Sequence, residues 1–578
     1  MKTKIILSSL FAVAVFVCYG VFHPEWFNYH EQYQMYMFGW DYLAEHLAVS
    51  SGFADYLAEF VVQFYFFPLL GAALWAGLLV LIGWLLWRVA RVLGFDGTHY
   101  AVFLLPPLLF TIYCGDMNVM MAFPMSVLLA LTSVLLYAKI PGRRRFCWQF
   151  LMVPAVYWLA GYSVVVYAAL AWSIDRRCCR TGGYNAIAAA VIYIVGILAM
   201  IVLVGYTVMR QYHFSDIFFG VDFYRDRLVV PVMQHIVTAS VVTVPLIAVA
   251  VGRWGRFLSM SVNVVVLAVL PLASSQIFDK STYFLLKLDY YVRFQEWHKV
   301  IGLCEDNPTL CNDQSCSGVN LALAMTNQMP DRMFDFLQTG QNGLLSRFSY
   351  DMVSCAITAE ACYHLGLVNE VLRYNYDSQA AIVNCNKSGR FTRRIAEAYM
   401  LNGNYELATK YLDLLKKTVF YSPWAHKAEA ACHNPALIAQ DKRWSRILRY
   451  RIPKGQLWSV TDMESMLWNL YKQSSGDNRI ALHYSLACAM LNGKFRQFVD
   501  MLAGTASDAP LPRNYQEALA YIYLTQKGSL EDAPAVISPE VKAGLAEFNR
   551  LYVSNKNHPA LQSGPLSRSY WRYVMFGR

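Results

Sequence analysis

Three carboxylates in the N-terminal half of this chain stand where acid–base chemistry at a membrane surface would need them. Glu31 lies between His30 and Gln32, soon after the first long apolar stretch. A polar cluster in that place is costly unless it is solvated or paired. Asp41 follows in the same aromatic-rich segment, and Asp116 sits in Cys114-Gly115-Asp116-Met117-Asn118 between two further apolar stretches. Carboxylates so placed can serve an active site that opens on the lipid headgroups. Each also has a plainer reading. Glu31 and Asp41 suit the wet face of helices lying on the membrane, and Asp116 suits a tight reversal.

The elements that must position these groups are apolar helices. The chain has 578 residues, 56% of them hydrophobic and 15% charged, where a soluble protein carries about 25% charged residues. The imbalance is confined to residues 1–277; from 278 to 578 charge is spread as in globular sequence. Runs long enough to cross a bilayer are Ile5–Phe22, Phe67–Trp87, Val119–Ala138, Ala186–Val208, Val232–Val251 and Phe257–Ser274. Tyr100–Tyr113 is shorter and carries Pro106-Pro107, and Phe146–Ile174 is too long for one span and is broken by Pro154 and Gly161. A hairpin bent at Gly161 would have arms of about 13 residues, or about 20 Å each. The total is about eight membrane segments. The first reads as a retained helix, because no small-residue cleavage site follows Phe22.

The net charge of +10 follows the same pattern. Much of the excess sits in short loops at Arg88, Arg91, Arg143–Arg145, Arg176, Arg177, Arg180, Arg253 and Arg256. That is the mark of cytoplasmic loops, so the charge reports topology and implies no nucleic-acid partner. The N-terminus is then cytoplasmic. Segment 23–66, the turn at 115–118 and the C-terminal half lie outside, which is the periplasm in a bacterial inner membrane. Arg210, Arg225 and Arg227 are basic residues on that external side, against the rule, accompanied by Asp216, Asp222 and Asp226.

Segment 23–66 predicts two amphipathic surface helices, about 29–48 and 53–66, parted at Gly52, with Glu31, Gln34 and Phe38 on one stripe. The C-terminal half predicts helices throughout, so the fold class is all-α: a polytopic transmembrane bundle (1–277) followed by a soluble helical repeat domain (278–578). The repeat signal is the turn Met400-Leu401-Asn402-Gly403, which recurs as Met490-Leu491-Asn492-Gly493 and, in looser form, as Tyr363-His364-Leu365-Gly366. This half contains no glycine-rich phosphate loop, no His-x-x-x-His pair and no nucleophile elbow. Its histidines His364, His426, His433 and His483 are scattered and read as structural. The thirteen cysteines show no zinc spacing. Cys304, Cys311 and Cys316 are close enough in sequence for one disulfide if the domain is outside the cytoplasm, and otherwise read as buried thiols.

Two resemblances attach to these features. Tyr29–Tyr36, Gly52–Phe60, Gln63–Pro68 and the ending Ser569–Phe576 resemble a family of uncharacterised bacterial multi-pass membrane proteins, and Arg394–Pro423 resembles a tetratricopeptide repeat. The layout also resembles the GT-C membrane glycosyltransferases, which carry an acidic residue in the first external loop and a second acidic motif in the next. That resemblance maps Glu31 onto the first position and Asp116 onto the second, with Asn118 where a second acid is usual, which puts metal binding in doubt. It implies sugar transfer from a polyprenyl-phosphate donor, with a carboxylate as general base and Arg210, Arg225 or Arg227 holding the departing phosphate. The cofactor is left open. The alternative is a non-enzymatic membrane scaffold whose repeat domain recruits an envelope protein. A transporter ranks last, because the spans are poor in charge.

Overall fold

The computed structural model describes residues 2–97, 99–179, 186–220, 223–225, 230–251, 261, 279–346, 351–382, 386–452, 461–505, 510–531 and 533–577. Among these residues the chain is helical, and two isolated bridges, Val119 with Tyr224 and Thr339 with Gln341, stand in place of strands. It divides into two compact units. The first comprises residues 1–283 together with 382–390 and 414–423; the second comprises 284–381, 391–413 and 424–578.

In the first unit five stretches are long and apolar enough to cross a membrane: Lys2–Phe22, Pro68–Val92, Cys147–Arg177, Ile187–Thr207 and Val232–Val251. Ala101–Tyr113 and Ala122–Ala138 are apolar but shorter. The span expected at 257–274 lies outside the described residues except for Ser261, as do Arg180, Arg253 and Arg256. Helix α1 (Lys2–Val17), continued by a π turn to Phe22, packs along α5 (Pro68–Val92). Pro68 opens α5 at a position where its missing N–H costs nothing.

Cys147–Arg177 qualifies by length as a single stretch, but it folds back on itself. Helices α8 (Gly142–Ala160) and α9 (Val164–Cys179) meet at Gly161, which has φ +54°. Near their other ends Gln149 Nε2 donates to Asp175 Oδ2 at 2.8 Å, so the two run antiparallel. Tyr137, at the end of α7 (Ala122–Ala138), donates to both Asp175 oxygens at 3.0 and 2.9 Å, and Tyr193 of α10 (Ala186–Thr207) adds a bond of 3.1 Å. A carboxylate buried among apolar helices needs this many donors. The hairpin expected from the charge pattern is present. Its arms of 19 and 16 residues are about 28 and 24 Å long, well beyond the expected 20 Å, because α8 starts within the basic run and α9 continues to Cys179.

Segment 23–66 differs from the expected pair of surface helices. It forms α2 (Pro24–Tyr33), an extended stretch, α3 (Trp40–Leu47) and α4 (Gly52–Val62). Residues Glu25–Tyr33 are all buried, so α2 is a core element. The stripe of Glu31, Gln34 and Phe38 does not form, because the helix stops at Tyr33. The cause is competition for backbone donors: Met35 N–H bonds to Lys387 O at 3.0 Å and Phe38 N–H to Lys417 O at 2.8 Å. Those carbonyls come from 382–390 and 414–423, the two segments that the C-terminal half contributes to this unit. Nothing local in the sequence announces such bonds.

The second unit contains the expected reversals. Gly366 (φ +89°) separates Met352–Leu365 from Val368–Ala380, and Gly493 (φ +65°) separates Arg479–Leu491 from Phe495–Ala503; each helix packs on its neighbour. Its core holds a buried ion network. Arg394 donates to both Glu360 oxygens at 2.7 Å and to Glu397 at 2.5 Å, and Trp444 Nε1 donates to Glu397 at 2.8 Å. The aromatic ending forms a helix, Tyr570–Phe576, anchored where Tyr570 N–H and Trp571 Nε1–H bond to Glu517 at 2.8 and 2.9 Å.

Candidate metal centre

Helices α3 and α4 each present a polar pair at i, i+4 spacing. In α3 the pair is Tyr42 and His46; in α4 it is Asp55 and Glu59. Such residues sit one above the other on one helix face. The turn between the helices brings the two faces together. Ser51 adopts φ +66°, and a Cβ on Gly52 would lie 1.9 Å from His46 O, so only glycine allows this closure. The turn is tied to the rest of the unit by Ser51 N–H on Trp158 O at 2.9 Å and Trp158 Nε1–H on Leu47 O at 3.0 Å.

The result is a cluster in which His46 Nε2 lies 3.6 Å from Asp55 Oδ2 and 3.3 Å from Glu59 Oε2. One ligating atom from each residue falls within 4.8 Å of the others. His46 Nδ1 sits 2.9 Å from Tyr42 O, which fixes the ring and points Nε2 at the carboxylates. Backbone carbonyls orient metal-ligating imidazoles in this way. The Tyr42 hydroxyl donates to Glu59, and Gln34 Nε2 donates to Asp55 Oδ1 at 3.4 Å. Gln34 Oε1 is buried and has no donor. The amide that bonds Asp55 thus keeps a buried acceptor that a cation or a water would satisfy.

The electrostatics describe the metal-free cluster, from which a metal would have to displace the His46 proton. Burial and the neighbouring Glu59 push the Asp55 carboxyl up to about 6, against the pull of His46. Burial disfavours the His46 imidazolium, but its bonds to Asp55 and Glu59 outweigh this and raise it to about 11. Two carboxylates facing one imidazolium leave a buried net negative charge. His46 and Asp55 form part of the wall of a cavity of about 270 Å³, together with Glu45, Met35, Met209 and Lys387, while Glu59 is buried. A divalent ion held by one imidazole and two carboxylates is an ordinary oxygen–nitrogen set, with positions left for water or substrate.

Comparison with known proteins adds a family. Residues 1–577 match the model of a family of unknown function, DUF6057. The chain belongs to this DUF6057 family. No curated protein and no solved structure matches it.

In this DUF6057 member the residues singled out in the sequence are not members of the cluster. Glu31, 4% exposed, accepts a hydrogen bond from Tyr421 at 2.6 Å. Tyr29, two residues earlier on α2, bonds to Met117 O at 3.1 Å. Helical positions two apart point about 200° apart, so Glu31 faces away from the Asp116 turn and the two carboxylates are not brought together. Asp116 is exposed and accepts from Asn118 N–H at 2.8 Å, as a turn residue does. Asp41 is exposed near the start of α3. Arg225 is joined to the Asp116 turn and to α2: its N–H bonds to Asn118 O at 2.6 Å and its guanidinium reaches Tyr29 Oη at 3.3 Å. Arg210 is exposed and bonds back to Tyr206 O at 2.6 Å, while its neighbours Met209 and Gln211 line the cavity. Arg227 lies outside the described residues. The His46–Asp55–Glu59 cluster was not read from the sequence. Its signal was there, as Tyr-x-x-x-His followed by Asp-x-x-x-Glu across the Gly52 break.

Proposed function

We propose that this chain is an integral membrane transferase whose catalytic centre is a divalent ion held by His46, Asp55 and Glu59, and that it moves a sugar from a polyprenyl phosphate to an acceptor hydroxyl. The observation that carries the reading is a cluster of three ligating groups, two of which, His46 and Asp55, line a cavity whose wall also holds Lys387. A metal ion and an ammonium together neutralise a departing phosphate. Met35, Met37, Val49, Val208 and Met209 give the cavity apolar surface that adapts to a prenyl chain. In the reaction the acceptor oxygen forms a bond to the anomeric carbon. The bond from that carbon to the phosphate oxygen breaks, and the phosphate leaves with the electron pair. The hydroxyl proton passes to Glu45, a cavity carboxylate outside the metal set.

The GT-C resemblance supports this reading, because it expects an acidic residue in the first external loop, and Asp55, Glu59 and Glu45 all come from segment 23–66. Glu31 then has a positioning role, through its bond to Tyr421. On the same reading the N-terminus is cytoplasmic, the site faces the periplasm, and the C-terminal half is a tetratricopeptide-like domain that presents the acceptor. The helical hairpins at Gly366 and Gly493 favour a second reading, a scaffold that binds an envelope protein and does no chemistry. The test compares lipid-linked and surface glycans in cells carrying wild type, His46→Gln or Glu45→Gln, each checked for insertion. The transferase reading expects both variants to lose a glycan and only His46→Gln to lose metal. Unchanged glycans in both inserted variants would overturn it and leave the scaffold.

A further inference from the structure

A second cavity, of about 720 Å³, lies along α1 and α5, and its walls include Lys4, Ser8, Gly77, Trp84, Trp87 and Tyr100. Gly77, Trp84 and Arg88 follow one another at helical spacing on one face of α5, and from Gly77 to Trp87 the groove runs about 15 Å. A Cβ built on Gly77 meets nothing within 4 Å, so the groove floor is open there. At the other end the character changes. Lys4 Nζ lies 3.6 Å from the centre of the Trp87 ring, and the Arg88 guanidinium lies 5.5 Å from that of Trp84. The rings hold these cations in place but leave their charge uncompensated. Among the described residues no carboxylate forms an ion pair with Lys4 or Arg88. Ser8 and Tyr100, bonded to each other at 3.1 Å, add hydroxyls at the same end.

We propose that this groove seats one anionic phospholipid, with its phosphate on Lys4 and an acyl chain lying along α5 over Gly77. The charge argues for that occupant. Two cations fixed by tryptophans at a membrane boundary attract an anionic headgroup, whereas a zwitterionic one gains less because its own cation faces theirs. The apolar length beyond them needs a chain, which a free phosphate does not have.

The test is native mass spectrometry of the full, delipidated chain, with phosphatidylglycerol or phosphatidylcholine added at equal concentration. The expected result is one tight phosphatidylglycerol adduct, at least tenfold favoured over phosphatidylcholine. Lys4→Glu brings phosphatidylglycerol down to the phosphatidylcholine level, and Gly77→Leu, which fills the floor, removes the adduct. Equal binding of the two lipids to wild type overturns the proposal. So does an adduct that survives both substitutions. The readout is lipid mass, so it does not depend on what the metal centre does.

Discussion

Replacing Asp55 by asparagine separates a metal centre from an internal salt bridge, because only a metal centre reverses the stability order when metal is added. The Asp55 carboxyl titrates at about 6 in the fold against an ordinary 3.8. A carboxyl raised in this way contributes its full stability below pH 3.8 and loses it as pH rises through about 6. At pH 8 the ionised group therefore costs the metal-free fold about 3 kcal/mol. Asparagine removes that charge and keeps an acceptor for Gln34, while His46 retains Glu59 at 3.3 Å. The metal-free variant is thus expected to be at least as stable as wild type, by up to about 3 kcal/mol. Metal reverses the order. Wild type gains about 2.7 kcal/mol at a metal concentration one hundred times its Kd, and the variant, short of one ligand, gains little. The assay is apparent Tm of the full chain in nanodiscs at pH 8, with EDTA or with Mn²⁺. If the cluster only pins α3 to α4, Mn²⁺ raises the Tm of neither protein, and the order found in EDTA persists with Mn²⁺. That pair of results would refute the metal centre.

Three other outcomes follow from the geometry. Burial holds His364 down at about 3 and His483 at about 4, with nearby arginines adding to the effect; both stay neutral in the fold but charge when it opens below pH 6.5. Each should therefore cost about 2 kcal/mol of stability at pH 5 relative to pH 8, and His364→Gln should flatten the acid limb of a denaturation series. Cys311 is brought down to about 7 by its bond with Cys304, whose own thiol is raised. Mild oxidation should join Cys304 to Cys311, seen as one intramolecular disulfide by peptide mapping, whereas Cys316, buried with its thiol donating to Leu337 O at 3.0 Å, should stay free. A chain with Gln149→Cys and Asp175→Cys should be cross-linked by a short bifunctional thiol reagent if 147–177 is a hairpin; a single straight helix would leave those positions about 39 Å apart and unlinked.

The sequence was most legible where the solvent dictates the pattern. Long apolar runs have one solution in a bilayer, so α1, α5, α10 and Val232–Val251 lie close to their expected positions. The hairpin was legible from charge, because Arg176 and Arg177 had to return to the side of Arg145, although its arm lengths were not. Legibility failed where a partner distant in sequence decided the local structure. Residues 34–39 carry a helical pattern, but Met35 and Phe38 give their N–H groups to carbonyls more than three hundred residues away, and no periodicity records that.

The candidate site shows the same divide at finer scale. Glu31 drew notice because a lone carboxylate between polar neighbours near a span looks expensive. The fold meets that cost locally with Tyr421, which leaves Glu31 a satisfied core residue. Asp55 and Glu59, at i, i+4 on α4, have the spacing of an ordinary polar helix face. They became unusual only when α3 folded back and set His46 against them, which turned a solvated stripe into a buried negative centre. What marks a site is charge left uncompensated after folding. Here that excess remains at His46, Asp55 and Glu59, two of which line the cavity, and a bound cation is the simplest species that removes it.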